Sequence, residues 1–386
     1  MTFPDLTDEL HELEAQGLLR TRQVLESAQG AHIQIDGQQF LAFGSNDYLG
    51  LANHPALIES ACQAATQYGV GAGASHLIVG HSVAHQALEQ ALAAFVQQPA
   101  ALTFSTGYMA NLGIVSALMG RNDLVLADKL NHASLNDAAL LSRAHFQRYA
   151  HGNLTQLEGM LAAAKARRKL VVSDAVFSMD GDIAPVPELL ALCERYDAIL
   201  MLDDAHGFGV LGEHGRGVLE HFGIASERII YMATLGKAAG VFGAFIAGNE
   251  TLIQSVMQHA RTYIYTTALP PMLASALLAS LKVMHDERWR REHLQRLAME
   301  LKQQLHTPHW CLLASDTPIQ PIIIGGNREV MAVSEALRAR GILVPAIRPP
   351  TVPKGEARLR ISLSAAHSVE DVQRLCAALN EIAKNH

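Results

Sequence analysis

The spacing of apolar positions changes three times along the chain. In residues 5–28, Leu6, Leu10 and Leu13, then Leu18, Leu19, Val24 and Leu25, form an imperfect stripe at helical spacing, which predicts an N-terminal helical arm. Residues 31–43 (AHIQIDGQQFLAF) alternate around Asp36-Gly37 and predict a short hairpin. From about 100 to 250 come short apolar runs at 101–104, 124–127, 169–176, 198–204, 228–234 and 243–248, each followed by polar or glycine-rich residues and a helical stretch. Runs apolar on both faces suit a mostly parallel sheet covered by helices, so an α/β, doubly wound domain is expected here. Ligands of such sheets lie beyond the carboxyl ends of the strands.

A long helical stretch, 269–299, leads into an α+β pattern: IQPIIIGG (319–326), a helical segment 328–341, then ILVPAI, RPPTVP and ARLRISLSAAH. The division expected is an arm and hairpin (1–45), a large domain (46–285) and a smaller C-terminal domain (286–386). There is no internal repeat and no low-complexity segment.

Composition narrows the classes. Of 386 residues, 49% are apolar and 17% charged, so the chain can bury a large core and is not disordered. Lys+Arg total 30 and Asp+Glu 37, a net charge of -7, and the longest basic cluster is the short one at 165–169; nucleic acid is not an expected partner. The uncharged stretches 101–120 and 262–281 are interrupted by polar residues or by Pro270-Pro271, so no membrane span is expected. Cys62, Cys193, Cys311 and Cys376 form no C-x-x-C pair and read as reduced thiols of a cytoplasmic protein. The start, MTFPDLTDELHELE, is acidic and lacks the apolar centre of a signal peptide.

Candidate chemistry follows the β runs. Lys237, in ATLGKAAG, lies among small residues just past a run, where a partly buried amine can act as a Schiff-base nucleophile. Asp203 closes ILML; a carboxylate there needs a positive partner, such as a protonated pyridine nitrogen, or caps the next turn. His206 is three residues on. Gly107 and Tyr108, after the 101–104 run, open a helical stretch whose N–H groups can hold a phosphate, and the Thr234 hydroxyl can join them. The alternative there is an ordinary helix cap. His132 can stack on a flat cofactor or be a plain loop residue; Ser178 has similar standing. Arg348 and Arg360 can take carboxylates or simply be surface arginines. His81, His85 and Glu89 share helical spacing but lack a further ligand, so no metal is expected. Gly207, Gly209 and Gly212 match G-x-G-x-x-G, yet no helix opens at them, which argues against a dinucleotide-binding dehydrogenase. Neither a P-loop nor a G-x-S-x-G elbow is present.

Together the ordered segments SNDYLGL (45–51), GAGASHLIVGHSVAHQALE (71–89), STGYMAN (105–111), NHASL (131–135), FSMDGD (177–182), DDAHGFGVLGEHGRG (203–217), ATLGKAAG (233–240), YTTALPP (265–271) and RPPTVPKGEARLRISLSAAH (348–367) resemble the α-oxoamine synthases over nearly the whole chain. These are pyridoxal 5'-phosphate (PLP) enzymes of fold-type I. The IRPPTVP segment is most similar to the branch that condenses L-alanine with a pimeloyl thioester, losing carbon dioxide, in biotin biosynthesis. The carrier, CoA or acyl-carrier protein, stays open. Sister enzymes of the 2-amino-3-ketobutyrate CoA ligase, 5-aminolevulinate synthase and serine palmitoyltransferase type are the alternative; a non-catalytic PLP-binding scaffold would not need Lys237, Asp203, His206 and Arg360 all intact. Leu235, Ala238-Ala239 and Phe208 depart from the pattern.

The resemblance implies roles. Lys237 forms the Schiff base with PLP; Asp203 pairs with the ring nitrogen; His206 and Ser178 contact the ring oxygen region; His132 stacks on the ring. Gly107, Tyr108 and Thr234 hold the phosphate, joined by Thr266 or Thr267 from a partner subunit, which implies an obligate homodimer with sites at the subunit interface. Asn46 and Arg360 take the amino-acid carboxylate. Arg20, Arg348 and Thr351 contact the acyl substrate.

Overall fold

A computed structural model describes residues 4–384. The chain forms two compact units, one made of Asp47–Ser178 and Asp182–Glu292, the other of the remaining described residues, including the three-residue excursion Met179–Gly181.

In the second of these units the N-terminal stripe is helical only over Pro4–Ala15, and its Leu6 and Leu10 side chains are exposed. Gly17, at φ 64°, ends the helix, and Leu18 N–H turns back to the Leu13 carbonyl at 2.7 Å, so residues 18–28 are not helical as expected. The hairpin forms from β1 (His32–Ile35) and β2 (Gln38–Ala42), with Asp36 and Gly37 both at positive φ, as a two-residue turn of this type requires.

The other unit is built on a seven-stranded sheet: β3 (Ala100–Phe104), β4 (Leu124–Asp128), β5 (His145–Tyr149), β6 (Lys169–Asp174), β7 (Ile199–Asp203), β8 (Ile229–Thr234) and β9 (Ala244–Gly248), in the order β3-β9-β8-β7-β6-β4-β5. Only β9 runs against the rest. The expected mostly parallel, doubly wound sheet is therefore present. Strands β4, β7, β8 and β9 are buried almost throughout, and Val125, Val172, Met201, Ile230 and Ile246 pack with Ile114 and Val115 of the helix Gly107–Leu118. That helix lies close: a Cβ at Gly113 would stand 2.7 Å from Thr262 Oγ1. β5 is an edge strand of sequence HFQRY, largely exposed, and carries no apolar run.

The chain from 269 breaks at 287–288 into two helices, Pro271–Asp286 and Trp289–Gln304, rather than one. Beyond it, β10 (Cys311–Leu312), β11 (Ile319–Gly325), β13 (Ala346–Ile347) and β14 (Ala357–Ser362) form a sheet in the order β10-β11-β14-β13, while β12 (Ile342–Leu343) joins β1 and β2. The segment ILVPAI is thus split between two sheets at Val344-Pro345, since proline cannot donate to a ladder. Helices Asn327–Arg338 and Val369–Ala383 bury Val330, Leu337, Leu375 and Leu379 in this unit. Arg358, almost wholly buried, pairs with Asp180 Oδ1 at 2.5 Å and Glu356 at 3.1 Å.

Candidate active site

Because β3, β4, β6, β7 and β8 share a direction, their carboxyl ends lie along one edge of the sheet. The residues just past those ends enclose a cavity of about 200 Å³. It gathers Gly107, Tyr108, His132, Ser178, Asp203, His206, Thr234 and Lys237, eight residues singled out in the sequence.

Lys237 sits in the turn after β8, closed by Gly240 N–H to the Lys237 carbonyl at 2.8 Å. Its Nζ is 2.9 Å from His206 Nε2, and His206 Nδ1 is 2.6 Å from the Tyr48 hydroxyl. When Tyr48 donates to Nδ1, the proton on Nε2 donates to an unprotonated lysine amine. The histidine and tyrosine thus hold the lysine amine in place at the cavity.

Asp203 ends β7, nearly buried. Oδ2 accepts from Asn111 Nδ2 at 2.7 Å and Oδ1 from Ala205 N–H at 3.1 Å, so the carboxylate is fixed at the floor of the cavity. Asp174 ends the neighbouring β6. Burial first, then the charge of Asp203, push its carboxyl well above the usual range. Asp204, also wholly buried, accepts from Val218 N–H (2.7 Å) and Tyr231 OH (2.8 Å), and burial pushes it up to about 7. It pins the loop containing Gly207, Gly209 and Gly212. Those glycines form turns, Gly209 and Gly212 at positive φ, and no helix starts there, so they make no dinucleotide fingerprint.

On the cavity's other side, Thr106 caps the helix Gly107–Leu118 by accepting from Met109 N–H at 3.1 Å. The first N–H groups of that helix are available to an anion. Gly107 is needed here: a Cβ would lie 2.6 Å from Thr234 Cγ2. Tyr108 is partly exposed and its hydroxyl donates to Asp137. His132 caps the helix Ala133–Ser142, and desolvation lowers its basicity.

The remaining residues lie elsewhere. Thr266 and Thr267 do not line this cavity; Thr267 bridges Ser75 on the same unit. In the other unit, Arg360 Nη1 donates to Asn46 Oδ1 at 3.1 Å. Arg20, Arg348 and Thr351 line one groove of about 510 Å³ there, with Leu10, Leu13 and Ile347. Tyr48, Asn111, Ser134 and Asp174 received no role from the sequence. Tyr48 and Asn111 do stand inside SNDYLGL and STGYMAN, and Asp174 closes its β run just as Asp203 does.

Comparison with known proteins bears on this pocket. The sequence profile described as Aminotransferase class I and II matches residues 38–379. The chain is 64% identical over 384 residues to the 8-amino-7-oxononanoate synthase of Nitrosospira multiformis, covering 100% of this chain and 97% of that one. A serine palmitoyltransferase structure from S. paucimobilis, with a bound PLP–myriocin aldimine, matches with a TM-score of 0.93 at 29% identity, over 99% of this chain and 97% of that one. The 8-amino-7-oxononanoate synthase structure from Francisella tularensis matches with a TM-score of 0.77 at 31% identity, over 90% and 98%.

Proposed function

The chain belongs to the aminotransferase class I and II family, and on that footing we propose that it is an acyltransferase joining L-alanine to a pimeloyl thioester, with loss of carbon dioxide, to give 8-amino-7-oxononanoate for biotin biosynthesis. Its cofactor is pyridoxal phosphate. The observation that carries the reading is the meeting of Lys237, His206 and Asp203 in one cavity at the carboxyl edge of the sheet.

The residues present fit the cofactor. A buried carboxylate, a lysine amine and a helix N-terminus face one space, matching a ring nitrogen, an aldehyde and a phosphate. Two buried oxygens of its lining residues, Asn111 Oδ1 and Asp174 Oδ1, have no hydrogen-bond partner among the described residues, as fits a site completed by a polar group. When bound, PLP supplies a sink for the electron pair left on the amino acid's Cα. Lys237 would hold the cofactor through Nζ, and its free amine would be the base for alanine's Cα proton. Asp203 would pair with the ring nitrogen; Gly107, Tyr108 and Thr234 would hold the phosphate, and His132, Ser178 and His206 would contact the ring. Asn46 and Arg360 are assigned to the amino-acid carboxylate, and Arg20, Arg348 and Thr351 to the acyl substrate.

A homodimer is the working form in this reading. Leu77, Ile78, Val79 and Val83 are exposed, and the Ser75–Thr267 bridge sets Thr266 and Thr267 beside that apolar segment. This supports delivery of those threonines to a second copy's site. No helix among the described residues is long and apolar enough to cross a membrane. Four free cysteines support a cytoplasmic setting, and CoA or an acyl-carrier protein would serve as carrier.

The higher TM-score of the serine palmitoyltransferase favours a second reading, with serine as amino acid. Backbone likeness is shared across the fold, whereas 64% identity over the full chain separates branches, so alanine stands. The test is a mass spectrum of products from PLP-loaded protein mixed with a pimeloyl thioester and alanine, serine or glycine. A pimeloyl chain joined to alanine minus carbon dioxide supports the reading; product from serine or glycine alone overturns it.

A further inference from the structure

Hydrogen bonds among the cavity's lining residues link Asp203 and His132 through one amide. Asn111, on the helix Gly107–Leu118 and almost wholly buried, donates from Nδ2 both to Asp203 Oδ2 (2.7 Å) and to Ser134 Oγ (2.9 Å). The amide orientation is set by its partner: the reverse would press Asn111 Oδ1 against the Asp203 carboxylate. Since Ser134 Oγ accepts from Asn111, its own proton is available to His132 Nδ1, 2.7 Å away. Ser134 N–H also points at Nδ1, at 3.3 Å. A ring nitrogen facing two donors is an acceptor, so His132 carries its single proton on Nε2.

We propose that Asn111 is a positioning residue, which through Ser134 fixes His132 as the neutral Nε2–H tautomer while holding Asp203 in place as a carboxylate. The amide therefore sets two properties of the pocket at once: the charge available to a ring nitrogen, and a donor rather than a lone pair on the histidine edge not held by Ser134. No charged group is spent in doing so. A lysine or arginine at position 111 would neutralise Asp203; an amide orients it and leaves its charge to the ligand. The Asp203 half of the proposal rests on reading the cavity as a PLP site, while the His132 half does not.

Two measurements keep those halves apart. The first is ¹⁵N-edited NMR of the histidine rings in cofactor-free full-length protein, with His132 assigned by its loss in His132→Asn. Wild type and Ser134→Thr, which retains the hydroxyl, should show the Nε2–H tautomer; Ser134→Ala should show a mixture or the Nδ1–H form. An unchanged tautomer in Ser134→Ala overturns the relay, whatever the cavity binds. The second is PLP affinity by equilibrium dialysis. Asn111→Ala removes one hydrogen bond to a charged group and should raise the PLP Kd by roughly 10- to 100-fold. The pH dependence of the bound cofactor's absorbance should move with it, as the Asp203 carboxylate is no longer held in place by the amide. Wild-type Kd and an unmoved absorbance profile in Asn111→Ala overturn the assignment of that residue. If Asn111→Ala does not fold, Ser134→Ala, which removes a single hydroxyl, still decides the His132 half.

Discussion

His151 offers a perturbation whose size and pH dependence both follow from the structure. Its Nδ1 lies 3.0 Å from Asp128 Oδ1 and its Nε2 3.0 Å from Asp182 Oδ2. Both nitrogens face carboxylates, so both must donate and the ring must be charged. The hydrogen bond to Asp128, then that to Asp182, raise its pKa from 6.5 to about 10. The charged ring ties the end of β4 to the far side of the turn 177–182, where Phe177 N–H donates to the Asp182 carbonyl and the Phe177 ring stands edge-on to the imidazole at 4.4 Å. Ser178 of the cavity follows directly. A pKa rise of that size sets a ceiling of about 5 kcal/mol on the linked stability. The ring is 33% exposed, so solvent screens it, and we expect His151→Gln to cost about 1–3 kcal/mol at pH 7. The folded-state pKa lies above the unfolded one, so this stability is fully present below about pH 6.5 and is lost as pH rises toward 10. Urea midpoints of wild-type and variant holoenzyme at pH 6.5, 8 and 10 measure it: the gap should shrink steadily with pH. An equal gap at pH 6.5 and pH 10 would refute the charged bridge.

Other substitutions test the site and the assembly. Lys237→Ala should abolish turnover while far-UV circular dichroism stays native; residual turnover would remove Lys237 from its role. Asp203→Asn should lower kcat/KM by roughly 100-fold or more, since a fixed counter-charge to the ring nitrogen is lost, and activity within a few-fold of wild type would count against that pairing. Gly107→Ala sets a methyl against Thr234 Cγ2 and should weaken PLP binding about 10-fold, read by dialysis, with the overall fold kept. Ile78→Asp places a charge on the exposed apolar segment and should shift sedimentation toward monomer; unchanged sedimentation would place self-association elsewhere.

What the sequence disclosed of the fold followed burial. Strands covered on both faces, such as β7 and β8, announce themselves as unbroken apolar runs, because every position meets a helix or a neighbouring strand. β5 has one neighbour, β4, and its HFQRY side chains mostly face solvent, so its pairing left no trace in hydropathy. The N-terminal stripe failed for the opposite reason. Its leucines keep helical spacing past Ala15, but the positive φ of Gly17 stops the helix, and Leu6, Leu10, Leu13, Leu19 and Val24 stay exposed. The break at 287–288 was similarly invisible, since no glycine or proline marks it.

The site divides along a different line. Residues that face the cavity sit immediately after β runs, where the topology of a parallel sheet puts ligands, and the resemblance named them. Those that hold them in place come from far along the chain: Asn111 stands 92 positions from Asp203, and Tyr48 stands 158 from His206. Neither pairing has a local signature, because an asparagine inside an apolar helix or a tyrosine in a turn-rich loop satisfies its polar atoms in any of several ways. The supports matter chemically all the same. Without Tyr48, His206 Nδ1 loses the hydroxyl 2.6 Å away; without Asn111, the Asp203 carboxylate keeps only the Ala205 N–H of these two donors. Thr266 and Thr267 mark a further boundary, since their assignment calls for a second chain. A lysine and an aspartate at strand ends are therefore enough to suggest a chemistry, but the partners that hold them are side chains that only the folded sheet brings together.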